Sequence, residues 1–348
     1  MTFSYYLIKP FYCAMWRLKN PGGTNAGTAF YCDKELDYEI FRNISIEGSY
    51  YIARNARISK YLSEKGIASE RWPSYPGIVI MARHALHRFP CGRIRKIGLR
   101  HGPYHFKKMI DASKYNAFDL FLFTSENEAR LAKELGIRCA VPGGFPKLDT
   151  LLDGSIDDAL LDRIRKDLKL DPGKKTLLFS STWNESGMSS VEKWYARLGE
   201  LAGRFNIIAT VHPFTGCKYK DILRRNANIR FIGDDGLYVY MRLSDALISD
   251  TSSIIAEYCA LYRPIICFDT PEAKRTDPEV RRIIDEISLK VRDFDELKDK
   301  VGAELEDPGK RIEAQRRAVG IFFDDDRPDK GRKASRIIEE YIQGELGQ

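Results

Sequence analysis

Asp250-Thr251-Ser252-Ser253 sets an acid and three hydroxyls in a row, between the apolar run Ala246–Ser249 and the segment Ile254-Ile255-Ala256-Glu257-Tyr258. That order predicts a buried strand, a polar turn and an amphipathic helix. The first turn of such a helix carries backbone N–H groups with no intrahelical partner, and these donors, the helix dipole and nearby hydroxyls bind phosphate. Asp250 is placed to orient the hydroxyls or to meet a ligand ribose. The alternative is an ordinary capped helix with no ligand. His212 follows the strand-like run Ile207–Val211, which Pro213 stops. There it is either a functional group at a strand end or a merely exposed side chain. Ser180-Ser181-Thr182-Trp183 follows another apolar run, Thr176–Phe179. Its hydroxyls line a phosphate or close a turn with their own side chains. His101-Gly102-Pro103 follows Ile97–Leu99, with the histidine available as a base and the glycine permitting close ligand approach.

The elements that must carry these residues alternate. Strands are expected at Gly27–Tyr31, Gly77–Met81, Ile97–Leu99, Leu120–Thr124 and Cys139–Pro142, then at Thr176–Ser180, Ile207–Val211, Ile229–Ile232, Ala246–Ser249 and Pro264–Phe268. Helices are expected at Tyr51–Lys65, Asn127–Leu135, Asp157–Leu168, Val191–Phe205, Ser252–Leu261 and over the last forty residues. Gly66 and Gly136 stand where helix C-cap glycines belong. Strand–helix alternation with short connections predicts two parallel-sheet α/β domains, residues 1–154 and 155–348. Two doubly wound domains in tandem place a ligand cleft between them, at the carboxyl ends of the strands. All the residues singled out above sit at such ends.

Composition narrows the class. The 348 residues are 43% hydrophobic and 30% charged, which excludes disorder, collagen-like repeats and small disulfide scaffolds. No uninterrupted apolar stretch is long enough to cross a bilayer. Seven scattered cysteines without a CxxC pair suit buried free thiols in a reducing cytoplasm. The N-terminus has no signal-peptide pattern, so a cytoplasmic protein is expected. Residues 3–19 mix aromatics with Lys9, Arg17 and Lys19. They read either as an interfacial segment at the inner face of an anionic membrane, broken by Pro10, or as an element packed on the protein's own core. The net charge of +7 is concentrated between Ala82 and Ile110, where eight Lys or Arg and four of the five histidines stand without one Asp or Glu. Such a run is a solvated basic face or a field drawing anionic substrate or lipid. No nucleic-acid motif accompanies it, so nucleic acid is not an expected partner. No Asp/His cluster has the spacing of a dedicated metal site, so no cofactor is expected and divalent metal is not expected to be essential.

In order, His101-Gly102, Gly144-Phe145-Pro146-Lys147-Leu148-Asp149, Ser181-Thr182-Trp183, His212-Pro213 and Ser249-Asp250-Thr251-Ser252-Ser253-Ile254 resemble the CDP-glycerol glycerophosphotransferase family of teichoic-acid primases and polymerases. The resemblance spans roughly residues 75–270. It implies a GT-B fold, two Rossmann-like doubly wound domains facing a central cleft. It also implies transfer of an alditol phosphate, glycerol phosphate first, from a CDP-alditol donor to a hydroxyl of a polymer or lipid-linked acceptor, releasing CMP. The family's functional histidines map onto His101 and His212. Its nucleotide and phosphate contacts map onto Asp250, Ser252, Ser253 and Thr182, with Gly102 and Thr251 beside them. Glu257 stands where the family commonly has Asp near the ribose. The other readings are a GT-B glycosyltransferase or epimerase using a nucleotide sugar, and a non-catalytic GT-B scaffold at the membrane.

Overall fold

The computed structural model describes residues 3–21, 27–103, 111–233, 236–271 and 277–344. The chain forms two units, one from residues up to 102 together with 111–149 and 327–344, the other from 150–326. The first contains β1 (Thr28–Cys32), β2 (Tyr50–Ala53), β3 (Ser69–Arg71), β4 (Ile78–Met81), β5 (Arg95–Leu99), β6 (Leu120–Phe123) and β7 (Ala140–Pro142), in spatial order β3-β2-β1-β4-β5-β6-β7. The second contains β8 (Thr176–Phe179), β9 (Asn206–Ala209), β10 (Arg230–Phe231), β11 (Ala246–Ser249), β12 (Ile265–Phe268) and β13 (Leu289–Val291), in order β10-β9-β8-β11-β12-β13. Every strand pair is parallel. Both sheets therefore have the doubly wound order, with the direction of winding reversing between β1 and β4 and between β8 and β11. Ligands of open α/β sheets bind outside the carboxyl ends of strands at such reversals.

Strand composition explains the layering. β4, β6, β8, β11 and β12 are four-residue runs buried throughout, as expected of strands covered on both faces. Successive residues feed opposite faces. Phe30, Ile80 and Leu122 join one apolar cluster of the first unit, while Tyr31, Val79 and Phe121 join the other. In the second unit Phe179, Ile248 and Phe268 pack with Trp194.

Several elements differ from expectation. Tyr50–Ala53 is a strand paired with β1, and the helix expected from Tyr51 begins only at Ala56, because the Asn55 side chain accepts the N–H of Ile58 at 3.1 Å and caps it there. Val191–Phe205 is not one helix. It is a single turn at Val191–Trp194 and a 3-10 turn at Leu198–Leu201, whose two buried leucines are spaced three apart as that tighter helix requires. Gly66 and Gly136 do end their helices, with φ of +77° and +84°. Pro10 does not break the first helix, which runs Phe3–Lys19. Its lost hydrogen bond is offset by anchors further along: Tyr12 donates to the Ser74 carbonyl, Trp16 Nε1 to that of Pro76 at 2.7 Å and Asn20 to that of Tyr75 at 2.9 Å.

The domain boundary expected near residue 154 lies close to the observed passage at Asp149, but the helix Lys330–Gln343 packs on the first unit rather than the second. Two contacts hold it there. The Asp149 carboxylate accepts the N–H groups of Lys330 and Gly331 at 2.9 and 2.7 Å. Gly331 lies so near the backbone of Asn43 that a Cβ would sit 1.9 Å from its carbonyl oxygen. All seven cysteines are free thiols, four of them buried.

Candidate active site

Asp250 is fully buried at the end of β11. Its carboxylate accepts the backbone N–H of Thr182 at 3.0 Å, of Ser190 at 2.8 Å and of its own neighbour Thr251, with the Ser190 hydroxyl at 3.2 Å. Burial pushes its pKa up, and the three N–H donors pull it back. With no surface of its own, Asp250 acts as a brace: it fastens the turn after β8 to the turn after β11, across the reversal point of the second sheet.

That brace leaves the serines outward. Ser252 and Ser253 are part-exposed, and Ser253 makes no side-chain capping bond to the helix Ile254–Cys259, which has only six residues. Their hydroxyls are thus available to a ligand and are not consumed by capping. Thr182 and Thr251 are buried beside them, with Thr251 Oγ1 donating to the Met188 carbonyl and Ser189 to that of Thr182. Ser181 and Ser249 are 1% and 0% exposed, and neither hydroxyl finds a partner among the described residues. Glu257 is buried, with the Tyr238 hydroxyl donating to its carboxylate.

His212 lies three residues beyond β9, the neighbour of β8. Its Nδ1 accepts the N–H of Phe214 at 3.2 Å, so the ring proton resides on Nε2. His212 thus presents a donor, which suits a phosphate oxygen. Phe214 is 62% exposed and lies edge-on to Trp183 at 6.2 Å between centroids. The sequence reading passed over Phe214; an aromatic directly after His-Pro at a strand end was its signal.

In the first unit His101 follows β5, two residues beyond Leu99, with Gly102 buried next to it. One ring nitrogen of His101 donates to the Ala82 carbonyl, leaving the other as an acceptor. Burial, then the charges of Arg83, Arg100 and His84, hold its pKa down at about 3. At neutral pH the ring is uncharged with its tautomer set, the state a general base requires. Arg83 is itself held by Asp37 at 2.9 Å, and Asp37 also accepts the N–H groups of Asp33 and Lys34. This pair spans the reversal point between β1 and β4 as Asp250 spans the other.

The basic run turns out to be largely engaged within the unit. Arg100 pairs with Glu128 at 3.0 Å and donates to the Tyr115 hydroxyl, Arg88 lies over the Trp72 ring, Arg95 over Tyr341, and Lys96 donates to the carbonyls of Cys91 and Ile94. Arg93 is exposed, His84 packs against Tyr115, Phe118 and Phe121, and His105, Lys107 and Lys108 lie outside the described residues. Among the described residues no three His, Cys, Asp or Glu side chains converge as a metal ion requires.

Residues 101–279, just over half of the chain, match the family described as CDP-Glycerol:Poly(glycerophosphate) glycerophosphotransferase, and the chain belongs to that family. It is 26% identical over 206 residues to the teichoic acid ribitol-phosphate polymerase TarL of Staphylococcus aureus, covering 55% of this chain and 35% of that one. It is 25% identical over 203 residues to the teichoic acid poly(ribitol-phosphate) polymerase of Bacillus spizizenii, covering 53% and 31%. The chain spans about a third of the length of these curated relatives. Among solved structures it is similar to the wall teichoic acid polymerase TagF, with a TM-score of 0.71 and 16% identity over 97% of this chain and 94% of that one. A UDP-N-acetylglucosamine 2-epimerase from Listeria monocytogenes gives 0.63 at 11% identity over 92% and 96%. At these identities the likeness concerns the fold, which is GT-B as expected.

Proposed function

We propose that the protein transfers an alditol phosphate, glycerol phosphate or its ribitol counterpart, from a CDP-alditol to an acceptor hydroxyl in the synthesis of a bacterial wall or capsule polymer. The observation that carries this reading is the state of His101: uncharged, one ring nitrogen tied to Ala82, inside the segment that matches the family. The acceptor oxygen bonds to the β-phosphorus as the bond from that phosphorus to the bridging oxygen breaks. CMP leaves with the electron pair, and the acceptor proton passes to the unprotonated ring nitrogen of His101. The pKa near 3 belongs to the ligand-free state, set first by burial and then by the charges of Arg83, Arg100 and His84. An anionic donor offsets the field of those charges and raises the pKa from there, while the larger part due to burial stays.

Ser252 and Ser253 supply hydroxyls to the diphosphate, His212 supplies its Nε2–H, and Thr182 contributes through the turn that Asp250 holds. These donors stabilise charge that develops on the phosphate oxygens. Glu257 with Tyr238 is assigned to the ribose side. Phe11 and Leu18, exposed on the helix Phe3–Lys19, together with the cations there, are assigned to the inner face of the membrane, where a polymer or lipid-linked acceptor is met.

Calorimetric titration of the protein with CDP-glycerol, CDP-ribitol, CMP and a set of UDP-sugars tests the proposal. Cytidine-selective binding weakened by Ser252→Ala or Ser253→Ala supports it and names the donor. Preference for a UDP-sugar replaces it with a glycosyltransferase or epimerase, and no nucleotide binding leaves a scaffold.

A further inference from the structure

At the other end of the second sheet, where its strands begin, lies a cavity of about 860 Å³. Its walls include Thr176 and Asn206, the first residues of β8 and β9, and Pro264, which precedes β12. Six Lys or Arg and three Asp line it. Each carboxylate already has a cation: Asp162 has Arg165 at 2.6 Å, Asp245 has Lys175 at 3.0 Å, and Asp171 has Lys174 at 3.9 Å. Lys166, Arg242 and Arg263 remain, none with a carboxylate partner among the described residues.

The two arginines are set differently. Arg263 Nη1 donates to the carbonyls of Arg242 and Ser244 at 2.7 and 2.5 Å. It thereby covers the C-terminal end of the helix Leu237–Leu243, whose partial negative charge would otherwise face the cavity. Arg242 has no such occupation. Its Nε is buried and lacks an acceptor among the described residues. A buried donor on a charged group is costly when unmatched, more so than a neutral one. Arg242 itself is part-exposed and lines the cavity, and the group that suits the accessible edge of its guanidinium is an oxyanion offering two oxygens.

We propose that this cavity is a second anion site, taking a phosphate group against Arg242 with Lys166 and Arg263 around it. It is distinct from the transfer site. β8 and β11 are four residues long, so about 13 Å of strand separates the two ends and one phosphate cannot serve both. The shared chemistry is a phosphate with two free oxygens, from a small free anion or from a phosphodiester of a polymer.

Calorimetry on the full chain at low salt, with inorganic phosphate, CMP and a short glycerophosphodiester oligomer, separates these sources. Arg242→Gln is expected to weaken phosphate binding at least ten-fold while leaving the CDP-alditol titration and the unfolding midpoint unchanged. Lys166→Gln, on the exposed face of the helix Asp158–Asp167, is expected to weaken it two- to five-fold and keeps the test open where the arginine variant fails to fold. An oligomer bound ten-fold more tightly than inorganic phosphate assigns the site to a polymer; equal affinities assign it to a free anion. Phosphate and oligomer binding unchanged in both variants, or no binding of either by the native chain, overturns the proposal whatever the CDP-alditol titration shows.

Discussion

Asp250 receives the backbone N–H of Ser190 at 2.8 Å, a residue sixty positions earlier in the chain. With Thr182 and Thr251 it fixes two loops that share no sequence neighbourhood. Asp250→Ala strands three buried N–H groups and is expected to cost about 3 kcal/mol or more in urea unfolding. Ser253→Ala, at the part-exposed turn, is expected to change stability by less than about 0.5 kcal/mol while weakening donor binding. Equal effects of the two on stability would deny the division between brace and ligand contact.

His101→Ala is expected to lower turnover by at least about 100-fold with the calorimetric affinity for the CDP-alditol largely retained. Loss of donor binding in that variant would make His101 a ligand contact, not a base.

The pH dependence of the two rate constants should also separate. kcat/KM reports the free enzyme and kcat the complex. On the proposed role, a bound anionic donor raises the His101 pKa from about 3, and the acid limb of kcat is expected at higher pH than that of kcat/KM. Coincident limbs would remove the electrostatic link between donor and base.

His101 also enters stability. Its folded pKa of about 3 lies below the ordinary 6.5, so between those values the unfolded chain takes up a proton that the native ring refuses. Stability is therefore full above pH 6.5 and is lost as pH falls through this window. The urea midpoint of His101→Asn is expected to drop less than that of the native protein between pH 7 and pH 5.

On the helix Phe3–Lys19, Phe11 and Leu18 lie seven residues apart on one face, 69% and 74% exposed, while Tyr12 and Trp16 face inward. Co-sedimentation with vesicles of anionic lipid at low salt is expected, reduced by Phe11→Ser and by added salt. Equal sedimentation of the native and Phe11→Ser proteins would rule out this face as the contact.

The strand ends that carry the candidate site were legible because each joins an apolar run to a polar turn, as at Ser249-Asp250 and Val211-His212. The job of each polar residue was not. Asp250 reads equally as an orienter of hydroxyls or a ligand contact until the N–H groups of Thr182 and Ser190 arrive from far upstream. Likewise the basic run reads as an open face because Asp37 and Glu128, which engage Arg83 and Arg100, lie outside it. β2 was hidden for a local reason: Tyr50–Ala53 runs into a capped helix after two residues, so the strand and helix periodicities blur into one amphipathic stretch. The motif Gly144–Asp149 was legible only as a family signature; its acid is a fastener for a helix 181 residues downstream.

That fastener bears on how the chain is made. On a ribosome adding about 5–20 residues per second, Asp149 waits roughly 10–40 s for Lys330 and Gly331 to be synthesised. By the end of that interval the second unit has all of its strands while the first still lacks a helix that covers Phe30 and Ile80. The order of birth and the order of completion are therefore inverted: the half that emerges first is the half that finishes last, with an apolar patch for chaperones to hold in the meantime.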